Sequence, residues 1–237
     1  MNPVVYARIA GLAYLAIFIL AIGANFAVLE GLRVPGDPAA TLSNLQAGET
    51  AFRFAIAALF AVLFADLIVA WALHVLFQPL APRLTGLTML FRVAYTLSHI
   101  PFVVLLVIAL RAATTEASVL VSPETAAYQL IRAHGAGFTY TLLFFGVHLI
   151  LLGVLALKTR GLPVVLAGLI ALAGVGYLLD GFGLLLAPEL FAAVPQLGVF
   201  IVILPALVGE GALTVYLLIR GVDARRWPAQ ARSDEPL

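Results

Sequence analysis

Apolar residues run along this chain in long unbroken stretches separated by short polar segments, and they do not alternate with polar ones. Six stretches, at about 4–29, 53–78, 86–110, 130–157, 162–187 and 197–220, each hold about 20 residues or more, enough for a helix to cross a hydrocarbon core roughly 30 Å thick. A membrane β-barrel would show segments of about ten residues with strict alternation. In lipid a lone segment closes its backbone hydrogen bonds only as a helix. The pattern predicts an all-α polytopic bundle of six transmembrane helices in one domain, residues 1–222, followed by a polar tail, 223–237, expected to be flexible. The first stretch contains Ala21-Ile22-Gly23-Ala24, which resembles a cleavage site. Its apolar run exceeds the roughly 7–15 residues of a signal-peptide core and only Arg8 supplies charge ahead of it, so it reads as a retained helix.

The connections sort by charge. Those after the second and fourth spans are short and carry Arg83, then Lys158 and Arg160, and the C-terminal end adds Arg220, Arg225, Arg226 and Arg232. The longer loops carry Glu30, Asp37 and Glu49, then Glu116 and Glu124. By the positive-inside rule the basic connections and both termini are expected in the cytoplasm. Pro35-Gly36-Asp37-Pro38 predicts a turn, and Ser122-Pro123-Glu124-Thr125 predicts a helix start with proline at the first helical position, so the fourth span begins as an outer helix. In the fifth span Ala167, Ala171, Gly174 and Gly181 share one face, a pattern for close helix packing in lipid.

Composition sharpens this picture. The chain is 63% hydrophobic and 11% charged, against roughly 45–50% and 25% in soluble domains, which excludes a soluble globular protein. A net charge of +1 excludes the basic footprint of a nucleic-acid binder. The absence of cysteine removes disulfides, thiolate metal sites and thiol nucleophiles. Every basic residue but Lys158 is arginine, a skew that points to a high-GC bacterium, with the cytoplasmic (inner) membrane as the expected location. The lipid bilayer is then the surrounding partner, and a small hydrophobic or lipid-like ligand is a candidate one. The sequence sets no oligomeric state.

An ionisable side chain near the bilayer centre costs about 2.5–3.5 kcal/mol on insertion scales, so each needs a partner, a cavity or a function. Counted from the cytoplasmic end of each span at 1.5 Å per residue, Arg92 is expected roughly 9 Å deep, Glu210 and His148 roughly 15 Å, and Asp66 roughly 18 Å. These four, from four different helices, form a predicted inner polar layer. Arg92, Tyr95 and His99 line one stripe of the third span, facing a fourth-span stripe of His134, Thr141 and His148. Tyr177 and Asp180 pair nearer the outer surface on the fifth span. Buried Arg–carboxylate pairs also serve as structural glue, and core histidines are commonly structural.

Sharper motifs are absent. There is no His-Glu-x-x-His zinc motif, no Gly-x-Ser-x-Gly elbow and no phosphate-binding loop. Asp180 follows Gly176-Tyr177-Leu178-Leu179 and lacks the Gly-x-Gly-Asp element of intramembrane aspartyl proteases. His134 and His148, 14 residues apart on one helix, have the spacing of a two-haem cytochrome b. The depths of His99 and His148 allow one facing pair, but His74 lies too shallow to face His134, so no cofactor and no metal are expected.

Taken together, several segments resemble a known family. They are Ala7-Arg-Ile-Ala-Gly-Leu-Ala-Tyr14, Pro35-Gly-Asp-Pro-Ala-Ala-Thr41 with Asn44, Glu49 and Phe52-Arg53, Asp66, and Phe91-Arg92. Further along come His134-Gly-Ala-Gly137, Phe144-Phe-Gly-Val-His148 with Gly153, Leu162-Pro163, Ala173-Gly-Val-Gly-Tyr-Leu178 with Asp180, Ala187-Pro188, and Val208-Gly-Glu210 leading to Leu217-Leu-Ile-Arg-Gly221. The set is similar to the DUF4386 family of bacterial integral membrane proteins over about residues 7–222. Two positions depart: the family's Pro-Arg is Leu162-Pro163-Val164 here, and its Trp is Tyr216. The resemblance implies six retained helices in a cytoplasmic membrane and no established activity. Three function classes stand open: a small-molecule or proton-coupled carrier using Asp66, Arg92, His148 and Glu210; an intramembrane enzyme on a lipid-like substrate; or a structural, partner-binding membrane subunit.

Overall fold

The computed structural model describes residues 2–114, 122–194, 196, 198–222 and 227. Glu116, Arg225, Arg226, Arg232 and the expected flexibility of the tail therefore lie outside the described residues, which include Trp227 from the 223–237 segment. Among the described residues there are helices and no strands. Helix α1 (Pro3–Ile22) continues through a π-helical stretch (Gly23–Leu29) and a last turn (Glu30–Leu32). There follow α2 (Pro38–Ala47), α3 (Glu49–Phe77), α4 (Pro82–Thr114), α5 (Pro123–Thr159), α6 (Val164–Leu186) and α7 (Pro188–Ala193). A second π stretch (Val199–Ile203) leads into α8 (Leu204–Ile219). Six segments are long and apolar enough to span a membrane: Pro3–Leu32, Glu49–Phe77, Pro82–Thr114, Pro123–Thr159, Val164–Leu186 and Val199–Ile219.

Four of these segments overrun the apolar stretches that announced them. Polar turns add to their ends, because a helix stops where its backbone loses partners and not where hydropathy falls. α4 and α5 begin at Pro82 and Pro123, where the missing N–H costs nothing. The first turn of α3 is closed by an Arg53–Glu49 pair at 2.6 Å. The turn before α2 forms as expected. Gly36 has φ 79°, in the region that favours glycine, and the Asp37 carboxylate caps the helix by accepting from Ala40 N at 2.9 Å.

The chain divides into two compact units, and α1, α3, α4 and α5 contribute to both. The first comprises residues 1–15, 66–95 and 139–237. In it the small-residue face of α6 meets α5. A Cβ added at Gly146 would lie 2.8 Å from the Gly174 carbonyl, and one at Gly153 would lie 2.7 Å from that of Ala167. Such backbone approach lets dispersion forces hold helices together where lipid removes the hydrophobic drive. Gly11 of α1 lies against Leu217 and Leu218 of α8, and Gly209 of α8 against Leu169 of α6. Trp227 is buried here, its indole Nε1–H donating to the Leu76 carbonyl at 2.7 Å. That carbonyl is one of the last four of α3, which have no partner within the helix.

The second unit comprises residues 16–65 and 96–138. Its core includes Leu45, Phe52, Leu59, Val103, Leu106 and Ala127. The loop bearing α2 is tied down by polar contacts: Tyr128 Oη accepts from Gly36 N at 2.8 Å, and Gln46 Nε2 donates to the Ala113 carbonyl at 3.0 Å.

Candidate functional site

Three ionisable side chains of the expected inner layer meet in the first unit around one guanidinium. Arg92, 1% exposed, is ion-paired through Nη2 with Asp66 Oδ1. Its Nε donates to the Asp66 backbone carbonyl at 3.3 Å, and its Nη1 donates to Tyr14 Oη at 2.7 Å and to His148 Nε2 at 3.2 Å. The guanidinium carbon also lies 4.7 Å from the Tyr14 ring centre and 5.3 Å from that of Phe145, within cation–π range. This planar fork satisfies several acceptors at once, which a lysine ammonium would not do with the same directions.

Hydrogen-bond roles fix the tautomer of His148. Its Nδ1 lies 2.9 Å from the Thr88 carbonyl, which only accepts, so Nδ1 carries the proton. Its Nε2 faces a guanidinium, which only donates, so Nε2 accepts. The Asp66 carboxylate is less complete, since buried Oδ2 has no hydrogen-bond partner among the described residues.

Helix lengths explain why the depths agree. α4 starts at Pro82, earlier than the apolar run suggests, so Arg92 lies roughly 15 Å along its helix and not 9 Å. Asp66 and His148, counted back from Phe77 and Thr159, come to roughly 16 Å. No upward reach of the arginine is needed to join them.

Glu210 makes a different contact. It is buried on α8, and its Oε1 accepts from the Tyr177 hydroxyl of α6 at 2.9 Å. The Thr214 hydroxyl donates to the Glu210 backbone carbonyl at 2.8 Å and leaves the carboxyl group alone. This corrects the expected Tyr177–Asp180 pair: the phenol reaches across to another helix and serves a more deeply buried acceptor, while Asp180 stays half-buried near Gly198. Phe145 connects the two polar groups, with ring centres 5.7 Å from His148, 4.9 Å from Tyr95 and 5.5 Å from Tyr177.

The second unit holds the other two histidines of the stripes. His99 and His134 stack with ring centres 6.0 Å apart, His99 also lies 4.9 Å from Phe138, and His134 Nδ1 is 3.0 Å from the Phe102 carbonyl. This corrects the suggested His99–His148 facing pair, because His148 has both ring nitrogens engaged in the first unit. Among the described residues no group of three or more His, Asp or Glu side chains is placed to hold a metal ion.

The sequence profile described as "Domain of unknown function (DUF4386)" matches residues 9–221. The chain belongs to the DUF4386 family. An uncharacterized protein of Archaeoglobus fulgidus is 31% identical over 127 residues, which cover 54% of this chain and 65% of that relative's length. No solved structure matches the chain.

In this DUF4386 chain Tyr14 and Phe145 are the site members that pattern reading assigns no role. Tyr14 is a lone phenol inside the apolar first span, and a buried phenol usually has a hydrogen-bond partner. Phe145 sits three residues before His148 and so shares its face. Those two placements were the available signals. Among the described residues the DUF4386 site offers one saturated cation, one carboxylate with a spare oxygen, one neutral imidazole and a second carboxyl bound by a phenol.

Proposed function

We propose that this DUF4386 protein is an integral membrane carrier that moves protons, alone or coupled to a small hydrophobic or lipid-like molecule, with Asp66, Arg92, His148 and Glu210 as its intramembrane polar layer. Tyr14 supports this layer; Tyr95, Tyr177 and Asp180 in the same unit, and His99 and His134 in the second unit, are secondary polar positions. The observation that carries this reading is Glu210. It is buried in a membrane-spanning helix, it accepts from a neutral phenol, and no cation lies within ion-pair distance of it among the described residues. A bundle held by ion pairs gains little from a second acid outside ion-pair reach of a cation, and intramembrane acids of this kind mark proton and substrate pathways. The unpaired Asp66 Oδ2 supports the same reading. On this reading the chain crosses the cytoplasmic membrane of a bacterium with both termini inside, an orientation that the arginine-rich connections support.

Proteoliposomes loaded with a pH-sensitive dye test this under a valinomycin-set potassium potential. Wild type acidifies the lumen faster than protein-free vesicles, and Glu210→Gln and Asp66→Asn slow it. Wild-type rates equal to protein-free vesicles, both alone and with a panel of small hydrophobic and lipid-like molecules added, end the carrier reading.

A structural role is favoured by one specific observation, the full set of protein acceptors around Arg92. On that reading Glu210→Gln, Asp66→Asn and His148→Gln all lower the melting temperature in detergent, and wild type shows no ligand-dependent shift.

A further inference from the structure

A cavity of about 10 Å³ lies in the first unit among α3, α4 and α5, with His74, Thr85, Thr88 and His148 on its wall. That is the room of roughly one water molecule. Two buried polar atoms of the wall residues, Thr85 Oγ1 and His74 Nδ1, have no hydrogen-bond partner among the described residues. Thr85 differs from several other helix threonines. The hydroxyls of Thr88, Thr114, Thr159 and Thr214 each donate to the carbonyl four residues earlier, at 2.8, 2.9, 2.7 and 2.8 Å. Thr85 is 2% exposed and does not. A buried hydroxyl without a partner is destabilising, and a cavity of water size with polar groups on its wall is the usual remedy.

We propose that this cavity binds one water molecule between Thr85 Oγ1 and His74 Nδ1, and that this water connects the Arg92 cluster with the aqueous phase at the α3–α4 connection. The geometry gives a continuous order. His74 is half-buried three residues before the end of α3. The cavity comes next, with His148 on its wall, and His148 Nε2 is 3.2 Å from Arg92. The water site stands on the cavity and the two unpartnered atoms. Its role as an inlet rests on the carrier reading.

The test uses full-length protein labelled with ¹⁵N-histidine in lipid nanodiscs, with water as the probe. Wild type shows magnetisation transfer from a bound water to the His148 Nδ1 proton. Thr85→Val, which keeps the volume and removes the hydroxyl, abolishes that transfer and lowers the melting temperature. Thr85→Ser retains the transfer and guards against a folding defect in the valine variant. A dry cavity gives the opposite result: no transfer in wild type, and a higher melting temperature in Thr85→Val because an unbonded hydroxyl has gone. That result overturns the proposal. Vesicle acidification separates the two readings. Slower flux in Thr85→Val supports the inlet, whereas bound water in a wild type that carries no protons overturns the inlet role and the carrier reading together while the water site stands.

Discussion

Arg92 makes one guanidinium answer to acceptors on three other helices: Asp66 on α3, Tyr14 on α1 and His148 on α5. Removing it leaves the Asp66 carboxylate buried without its cation, and breaking a buried pair from one side costs about 3–5 kcal/mol. Arg92→Ala therefore lowers the melting temperature in detergent far more than Arg83→Ala, whose side chain is exposed; equal shifts for the two variants would show that the cluster contributes nothing to the fold. A smaller change isolates the phenol. Tyr14→Phe keeps the ring beneath the guanidinium and deletes the oxygen that accepts at 2.7 Å. Hydrogen bonds to charged groups are worth about 1.5–3 kcal/mol, so chemical or thermal denaturation should register a loss of that order.

At the scale of elements, the α5–α6 contact depends on glycines placed where backbones touch. Gly174→Ala drives a methyl group toward the Gly146 carbonyl and the side chain of Ile150. Gly168, on the same helix, has nothing within 4 Å of an added Cβ. Alanine at Gly168 is expected to be neutral or stabilising by up to about 1 kcal/mol through helix propensity, while alanine at Gly174 destabilises. Melting curves of the two variants decide this, and an equal effect from both would remove the close-approach account. The end of α3 depends on a residue far along the chain. Trp227→Phe retains most of the ring packed on Phe77 but loses the bond to the Leu76 carbonyl, an expected cost of about 1 kcal/mol.

For the whole molecule the prediction is topological. An alkaline phosphatase joined near Asn44 should be active and one joined after Arg226 inactive, because the basic connections hold one side of the membrane; the reverse pattern inverts the orientation. Haem binding gives a second whole-molecule test. His99 and His134 face each other's rings and His148 has both nitrogens engaged. A haem held by two histidines needs both at matching depth, and His148, the candidate opposite His99, has both ring nitrogens engaged, so purified protein is expected to show no reducible Soret band.

Six spans, their all-helical character and the polar positions within them were legible in the sequence, because lipid imposes a length and a hydropathy on every crossing segment. The turn at Gly36, the helix start at Pro123 and the small-residue face of α6 were legible for the same kind of local reason, since each follows from the geometry a residue permits or forbids. Which polar groups meet was not. Periodicity places Arg92 on a face of α4 but says nothing of which helix stands opposite, and the depth count failed for it because helix ends are set by backbone partners beyond the apolar run. Tertiary structure decided that Arg92 takes Asp66, Tyr14 and His148, that Glu210 takes Tyr177 in place of Asp180, and that His99 stacks on His134. These choices depend on neighbours distant in sequence competing for a few donors and acceptors in a medium without water, and no local pattern records the outcome of that competition.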